Sequence, residues 1–237
     1  PAMIQHVDTI MALRQNEVVI QGRLNNEGAR ALKSMESLGN PFGPPDDRVA
    51  FIEELGAKVV GAGEEVDVLY WVGCLSTYDP TKHKIVKDIA SLLDKAGINW
   101  GVLGEDEVCC GDPARVMGQE YTFQMSAKTQ IEALNSRKFK TLLVSCPHCF
   151  NTLAHEYPQF GGKYEVMHHS VFLRKLLHEG KLTPKKSVKG KFVYHDPCYL
   201  GRYQGVFEEP REMLKSVPGI DLAEMASNHS KIGRAHV

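Results

Sequence analysis

Residues 66–74 read VDVLYWVGC, and the first eight of them form a nearly continuous apolar run. A strand with one solvated face alternates apolar and polar side chains, whereas a strand covered on both faces reads as an unbroken apolar segment. The stretch therefore predicts a buried strand of a parallel sheet that delivers Cys74 at its carboxyl end. Open α/β sheets bind their ligands at that edge.

The same pattern recurs along the chain on the carboxyl side of this strand. Further strands are predicted at residues 100–103, 141–145, 164–168 and 191–195. Amphipathic helices are predicted at residues 85–96, 123–134, 171–179 and 208–216, with a further helix from Pro147. Strands that alternate with helices indicate an α/β fold with mostly parallel sheets and right-handed crossovers.

The chain divides into three predicted parts. Residues 1–63 form a mostly helical lead-in, with helices at 3–14 and 27–38, breakers at 39–45 and a short helix ending near Gly56. Residues 64–185 form a first α/β lobe, and residues 186–237 begin a second lobe that is truncated. The second lobe is inferred from KFVYHDPC, which ends at Cys198 much as VLYWVGC ends at Cys74.

Charge, hydropathy and the absence of certain motifs argue against several classes of function. The formal net charge of -1 gives no electrostatic reason to propose nucleic acid as a partner. No apolar run approaches the roughly 20 residues needed to span a bilayer, and the first residues lack a signal-peptide layout. We expect a cytoplasmic protein that is associated with a membrane only through a partner, if at all. The sequence contains no glycine-rich dinucleotide fingerprint and no P-loop.

Five of the six cysteines fall at predicted strand ends or in the turns that follow them. They are Cys74, the pair Cys109-Cys110 before Gly111, and Cys146 and Cys149 of a Cys-Pro-His-Cys segment. A parallel sheet gathers such turns along one edge, so the five thiols are expected to meet in space. In a chain of this length, clustered cysteines indicate metal binding or redox chemistry rather than a disulfide framework.

The number of thiols indicates the kind of centre. Adjacent Cys109 and Cys110 cannot easily hold one small ion together, but they can reach different irons of a cluster. A tetrahedral zinc site and a cubane cluster each need four ligands, so five thiols indicate an unusual cluster or one spare redox-active ligand. Three alternatives remain: buried core thiols, a structural zinc module, and a thiol–disulfide oxidoreductase that uses only Cys146 and Cys149.

Other residues are candidates for supporting roles. Gly111 is expected to let the backbone approach the cluster, and His148 lies within the Cys-Pro-His-Cys segment. His168 and His169 are expected to point to opposite faces of a strand and need no functional role. Weaker candidates, which are equally turn or surface residues, are Tyr78, Asp79, His195, Asp196 and Arg202.

At these residues the sequence resembles the cysteine-rich CCG domain family, over about residues 66–225. The family pattern is a cysteine, then CCG, then CxxC, usually present twice, and the first lobe matches one full copy. YWVGC, CPHCFNTLAHEYPQFGG and YHDPCYLGRYQG also look like this family. Its members include the B and D subunits of heterodisulfide reductase and the iron–sulfur subunits of glycolate oxidase.

The resemblance implies a [4Fe-4S] cluster of noncubane form that transfers electrons or cleaves a disulfide, with no separate catalytic residue identified. It implies that Cys198 opens a second, incomplete site. It also implies a ferredoxin-type iron–sulfur module upstream in the full protein, and other redox subunits as partners, some of them membrane-bound. Residues 232–237, Ile-Gly-Arg-Ala-His-Val, are interpreted as a tail encoded by a sequencing adapter.

Overall fold

The computed structural model describes residues 6–225. Its strands are β1 (Glu65–Trp71), β2 (Trp100–Gly101), β3 (Lys138–Val144), β4 (Val166–His168), β5 (Gly190–Val193) and β6 (Ile220–Ala223). Its α-helices are α1 (His6–Gln15), α2 (Asn26–Leu38), α3 (Pro45–Leu55), α4 (Cys74–Tyr78), α5 (Pro80–Lys95), α6 (Asp112–Met117), α7 (Glu120–Asn135), α8 (Pro147–Asn151), α9 (His169–His178) and α10 (Glu208–Lys215). The predicted amino-terminal start of the first helix and the predicted adapter-encoded tail lie outside the described residues.

The first four strands form one parallel sheet in the order β2-β1-β3-β4. β1 lies inside this sheet and pairs with β3 from Glu65↔Lys138 to Trp71↔Val144. β5 and β6 form a second, two-stranded parallel sheet. The predicted α/β class with mostly parallel sheets is confirmed. Because the strands are parallel, their carboxyl ends reach the same edge of the first sheet.

β1 is buried on both faces, as its unbroken apolar sequence predicts. Leu69 and Trp71 lie in the core cluster that α7 covers. Val68, Tyr70 and Val72 lie in the cluster that α5 and α9 cover. Complete burial of a large apolar side chain contributes about 1.5–3 kcal/mol. Burial on both faces therefore holds the end of β1, and with it Cys74, in a fixed place.

The helical lead-in packs into the same two cores. Leu32 and Met35 of α2 belong to the cluster beneath α7, and Phe51 and Ile52 of α3 belong to the opposite cluster. β2 is shorter than predicted because its pairing with β1 stops at Gly101. The next residue, Val102, pairs with Val59 of the lead-in instead. The lead-in is thus a packed part of the first lobe's core.

The prediction for the adjacent histidines is wrong. β4 ends at His168 and α9 begins at His169, so no strand carries the two side chains to opposite faces. Their ring centroids lie 4.2 Å apart. Burial lowers the pKa of His168 to about 3 and the pKa of His169 to about 4, so both rings are neutral near pH 7.

Among residues 6–225, every helix is too short or too polar to cross a lipid bilayer.

Candidate metal centre

The five cysteines of the first lobe form a continuous row at the carboxyl edge of the sheet. Cys74 begins α4 directly after β1, and its Sγ lies 3.7 Å from Cys109 Sγ. Cys109, Cys110 and Cys149 lie in one buried cluster against which Cys74 and Cys146 pack. Each thiol shifts the pKa of the next in the order Cys109, Cys110, Cys149, Cys146. The structure therefore brings together all five predicted ligands, although 75 positions separate Cys74 from Cys149.

The row is closed toward the core and open at its ends. Cys109, Cys110 and Cys149 are buried, whereas Cys74 and Cys146 are partly exposed. Cys198 is exposed, and it precedes a π-helical turn at Tyr199–Tyr203. The ring of Tyr199 lies 4.0 Å from the ring of His148, centroid to centroid, so the turn after Cys198 contacts the Cys-Pro-His-Cys segment through an aromatic pair.

Cys146 is the thiol best prepared to ionise. Its Sγ accepts hydrogen bonds from the Cys149 thiol, from the His148 side chain, and from the backbone N–H groups of both residues. These bonds lower the pKa of Cys146 although burial opposes them. The bond to Cys146 in turn raises the pKa of His148. A thiolate at the start of α8, hydrogen-bonded to the His148 side chain, is the expected result.

The pKa values of the other thiols differ along the row, since hydrogen bonds to Cys109 and Cys149 lower the pKa of Cys110 to about 7 whereas the remaining three values are raised. A hydrogen bond to Cys109 and burial raise the pKa of Cys74, and a hydrogen bond to Cys110 raises the pKa of Cys109. Cys149 behaves in the same way, because its hydrogen bonds to Cys110 and Cys146 raise its pKa. Metal binding requires thiolates. Metal binding by this row therefore releases protons from the thiols. The positive charge of the metal then neutralises the thiolates.

The supporting role of Gly111 beside a cluster stays a prediction, and the structure shows where its backbone lies. Its backbone N–H bonds to Cys109, so the backbone does reach a thiol. A β-carbon at this position would lie 2.7 Å from the ring of Phe123, and φ is +90°, a conformation that L side chains rarely adopt. The left-handed turn and the closeness of Phe123 therefore each require glycine at this position.

Two residues that the sequence did not indicate hold the Cys74 end of the row in place. Arg48 of α3 and Glu107 form an ion pair of 2.7 Å, with side chains 3% and 1% exposed. The Glu107 carboxylate also accepts hydrogen bonds from the backbone N–H groups of Val72 and Gly73, at 3.0 and 2.8 Å. Glu107 thus fixes the end of β1 just before Cys74 while lying two positions before Cys109. A charged pair of this kind has no local sequence signal.

The surroundings of the row fit a sulfur-rich anionic cofactor. The indole Nε1 of Trp71 is buried and has no hydrogen-bond partner. A β-carbon built on Gly73 would lie 3.9 Å from this nitrogen and 3.7 Å from Cys149 Sγ, so both atoms border one space that glycine leaves open. Thiolates suit iron–sulfur clusters and zinc. Within residues 6–225, no three His, Cys, Asp or Glu side chains converge on one point as the ligands of a single metal ion do, and this includes the five thiols, which lie in a row.

The weaker sequence candidates have structural environments of their own. Asp79 caps α5 by accepting the backbone N–H of Thr81, and the Tyr78 hydroxyl accepts a hydrogen bond from Asn40 at 3.0 Å. Asp196 pairs with the buried Arg211. His195 and Arg202 are exposed. None of these five residues belongs to the thiol row.

A comparison with protein-family models finds one match, to the cysteine-rich domain called CCG. It covers residues 68–154, which hold all five thiols of the row, and residues 192–232, which include Cys198. The second segment begins within β5, and its last residues lie beyond the described part of the chain. No solved protein structure matches the chain.

Several known proteins are similar over most of the chain. EtfAB:quinone oxidoreductase of Syntrophomonas wolfei is 38% identical over 225 residues, which are 92% of this chain and 32% of that protein. The probable iron-sulfur-binding oxidoreductase FadF of Bacillus subtilis is 36% identical over 237 residues, 95% of this chain and 33% of that protein.

A third relative is a component of a larger enzyme. The D subunit of the dihydromethanophenazine:CoB--CoM heterodisulfide reductase of Methanosarcina mazei is 34% identical over 168 residues, 68% of this chain and 41% of that polypeptide. The chain spans about one third of the first two relatives, at 32% and 33% of their lengths.

Proposed function

Because the chain belongs to the cysteine-rich CCG domain family, we propose that it is part of an iron–sulfur oxidoreductase. The observation that carries the proposal is the continuous row of five thiols at one sheet edge. In this proposal Cys74, Cys109, Cys110, Cys146 and Cys149 ligate one [4Fe-4S] cluster. Five ligands exceed the four that a cubane cluster requires, which favours a noncubane form.

The proposed role of the cluster is electron transfer. Two of the relatives are named as iron–sulfur or quinone oxidoreductases, and a third belongs to a heterodisulfide reductase. Electrons would arrive from a ferredoxin-type module elsewhere in the longer protein and leave to another redox subunit. If the acceptor is a disulfide, two electrons and two protons convert it to two thiols. The cytoplasmic location, with membrane contact only through a partner, stays a prediction.

Anaerobic reconstitution with iron and sulfide tests the proposal. We expect about four irons and four sulfides per chain, as a [4Fe-4S] cluster requires, and a paramagnetic state detectable by EPR. Cys146→Ser, at a partly exposed ligand, should lose the cluster with the fold intact by circular dichroism. The matched control Cys198→Ser, at the exposed cysteine outside the row, should keep it. Zinc alone, or a cluster lost in Cys198→Ser and kept in Cys146→Ser, would contradict the assignment.

A second function is supported by the environment of Cys146. A thiolate at a helix start, hydrogen-bonded to the second cysteine of a CxxC pair, is the arrangement of a thiol–disulfide oxidoreductase. This alternative predicts disulfide exchange by metal-free protein that depends on Cys146 and Cys149 and persists in Cys109→Ser. The cluster proposal predicts redox activity that requires bound iron and is lost in Cys109→Ser.

A further inference from the structure

Two buried hydrogen-bond donors without a protein partner flank the thiol row. They are Nη2 of Arg48 and Nε1 of Trp71. Among the described residues, the other buried side-chain atoms without a partner are Gln130 Oε1 and His169 Nδ1. A buried donor that has lost water and gained no acceptor is costly, so native structures rarely retain one without a reason.

Arg48 brings a buried charge to one end of the row. The guanidinium lies 5.7 Å from the ring centroid of Tyr78, and Nη1 is engaged by Glu107. The same Glu107 carboxylate accepts the backbone N–H of Gly73, the residue before Cys74, so the guanidinium is held at the Cys74 end of the row. Burying an ion pair seldom stabilises a fold more than apolar side chains of similar volume would. Stability alone therefore does not account for this pair.

Trp71 brings a neutral donor to the other side. Its side chain is 1% exposed, and its Nε1 and Cys149 Sγ border the same space beside Gly73. Gly73 has φ +81°, so this space is kept open by a residue that has no side chain to fill it. An acceptor placed there would satisfy the indole N–H.

We propose that Arg48 and Trp71 are positioning residues that donate hydrogen bonds to the sulfur atoms of the cluster, and that the opposite charges of Arg48 and Glu107 set its reduction potential. This inference rests on the proposed function. Reduction adds negative charge to the cluster. Donors and positive charges therefore stabilise the reduced state and raise the potential, whereas a nearby carboxylate lowers it.

The direction in which each substitution shifts the midpoint potential of the cluster distinguishes an electrostatic role from a structural one. Arg48→Gln removes a positive charge and should lower the midpoint potential in an EPR-monitored redox titration. Glu107→Gln removes a negative charge, keeps an amide of the same shape, and should raise it. Trp71→Phe keeps the ring but removes the N–H, and should lower it. Arg48→Lys retains the positive charge, so its midpoint potential should lie much closer to the wild-type value than that of Arg48→Gln.

Lys140→Gln is the matched control for loss of a positive charge. Lys140 pairs with Asp67 on the surface, with side chains 74% and 46% exposed, so its removal should leave the potential unchanged. Each variant is first analysed for iron and sulfide. Wild-type protein that binds no cluster contradicts the proposed function itself.

Wild-type protein with a full cluster, but with shifts of the same sign in Arg48→Gln and Glu107→Gln or no shift in either, overturns this inference alone. If Arg48→Gln does not fold, Glu107→Gln and Trp71→Phe decide the question, because they are expected to move the potential in opposite directions.

Discussion

Cys74 Sγ lies 3.7 Å from Cys109 Sγ, although the two residues are 35 positions apart in the chain. Cys74 follows β1 and Cys109 lies in the loop after β2, and β1 and β2 are neighbours in the sheet. Glu107 joins the two places directly, since its carboxylate holds the backbone N–H groups of Val72 and Gly73. The first contact of the thiol row is therefore made by sheet topology and held by a buried carboxylate.

Gly73→Ala is expected to reduce cluster binding. Its φ of +81° is a conformation that costs an L residue about 1–3 kcal/mol, and the new β-carbon would enter the space beside Cys149 Sγ. We expect the iron content after reconstitution to fall at least about twofold, together with a lower free energy of unfolding. Chemical denaturation and iron analysis of the same preparation measure both.

Gly56→Ala is the control for backbone strain. Gly56 has φ +64°, and a β-carbon there would meet nothing within 4 Å. This variant should lose about 1 kcal/mol of stability and keep its iron. Equal iron loss in both variants would show that strain alone, and not the space beside the thiols, is responsible.

Cys146 should react as a thiolate at unusually low pH in the metal-free, reduced protein. Its hydrogen bonds from Cys149 and His148 lower its pKa, so alkylation should persist well below the usual thiol range of about 8.5 and fade as pH drops through the folded-state value. Because the pKa of Cys146 is lower in the folded state than in the unfolded state, ionisation of Cys146 stabilises the fold. This stabilisation is complete above the unfolded-state pKa and is lost as pH falls through the folded-state pKa. Alkylation rates at Cys146, followed by mass spectrometry from pH 4 to 9, measure the shift.

His148→Phe should move the alkylation profile of Cys146 to higher pH. The substitution keeps an aromatic ring against Tyr199 but removes the Nδ1 that lies 3.9 Å from Cys146 Sγ. Urea-unfolded protein provides the reference profile. A folded-state profile that coincides with this reference would refute the account of Cys146.

Tyr157→Phe should destabilise the fold beneath the row. Tyr157 is completely buried, and its hydroxyl donates to the backbone carbonyl of Cys110 at 3.1 Å. Removing the hydroxyl leaves this carbonyl buried without that donor, at a cost of about 1–3 kcal/mol. Chemical denaturation of the metal-free protein measures the loss.

Tyr164→Phe is the matched control, because its hydroxyl donates at 2.9 Å to the Asn135 side chain in a solvent-exposed bond and reaches the Ile131 carbonyl only at 3.5 Å. Its free energy of unfolding should change by about 0.5 kcal/mol or less, as is usual for exposed sites. A Tyr157→Phe variant as stable as this control would mean that the Cys110 carbonyl finds another partner.

The sequence alone determined the α/β class, the buried central strand and the set of thiols that meet. These features are readable because they depend on local patterns. An apolar run along 66–73 reports burial on both faces of β1, and cysteines placed after parallel strands must come to one edge. The local boundaries of β2 and β4 were less accurate, since Val102 pairs with Val59 outside β2 and β4 begins at Val166, two residues later than predicted.

Only the tertiary structure decided what surrounds the thiols. Arg48 and Glu107 are 59 positions apart, and each resembles a surface charge in the sequence until packing buries them together. The indole N–H of Trp71 has no acceptor, and the space beside Gly73 holds no side chain, only because the rest of the chain packs elsewhere. Local periodicity reports which face of an element is buried. It carries no information on the distant groups that meet there, because long-range packing selects those partners.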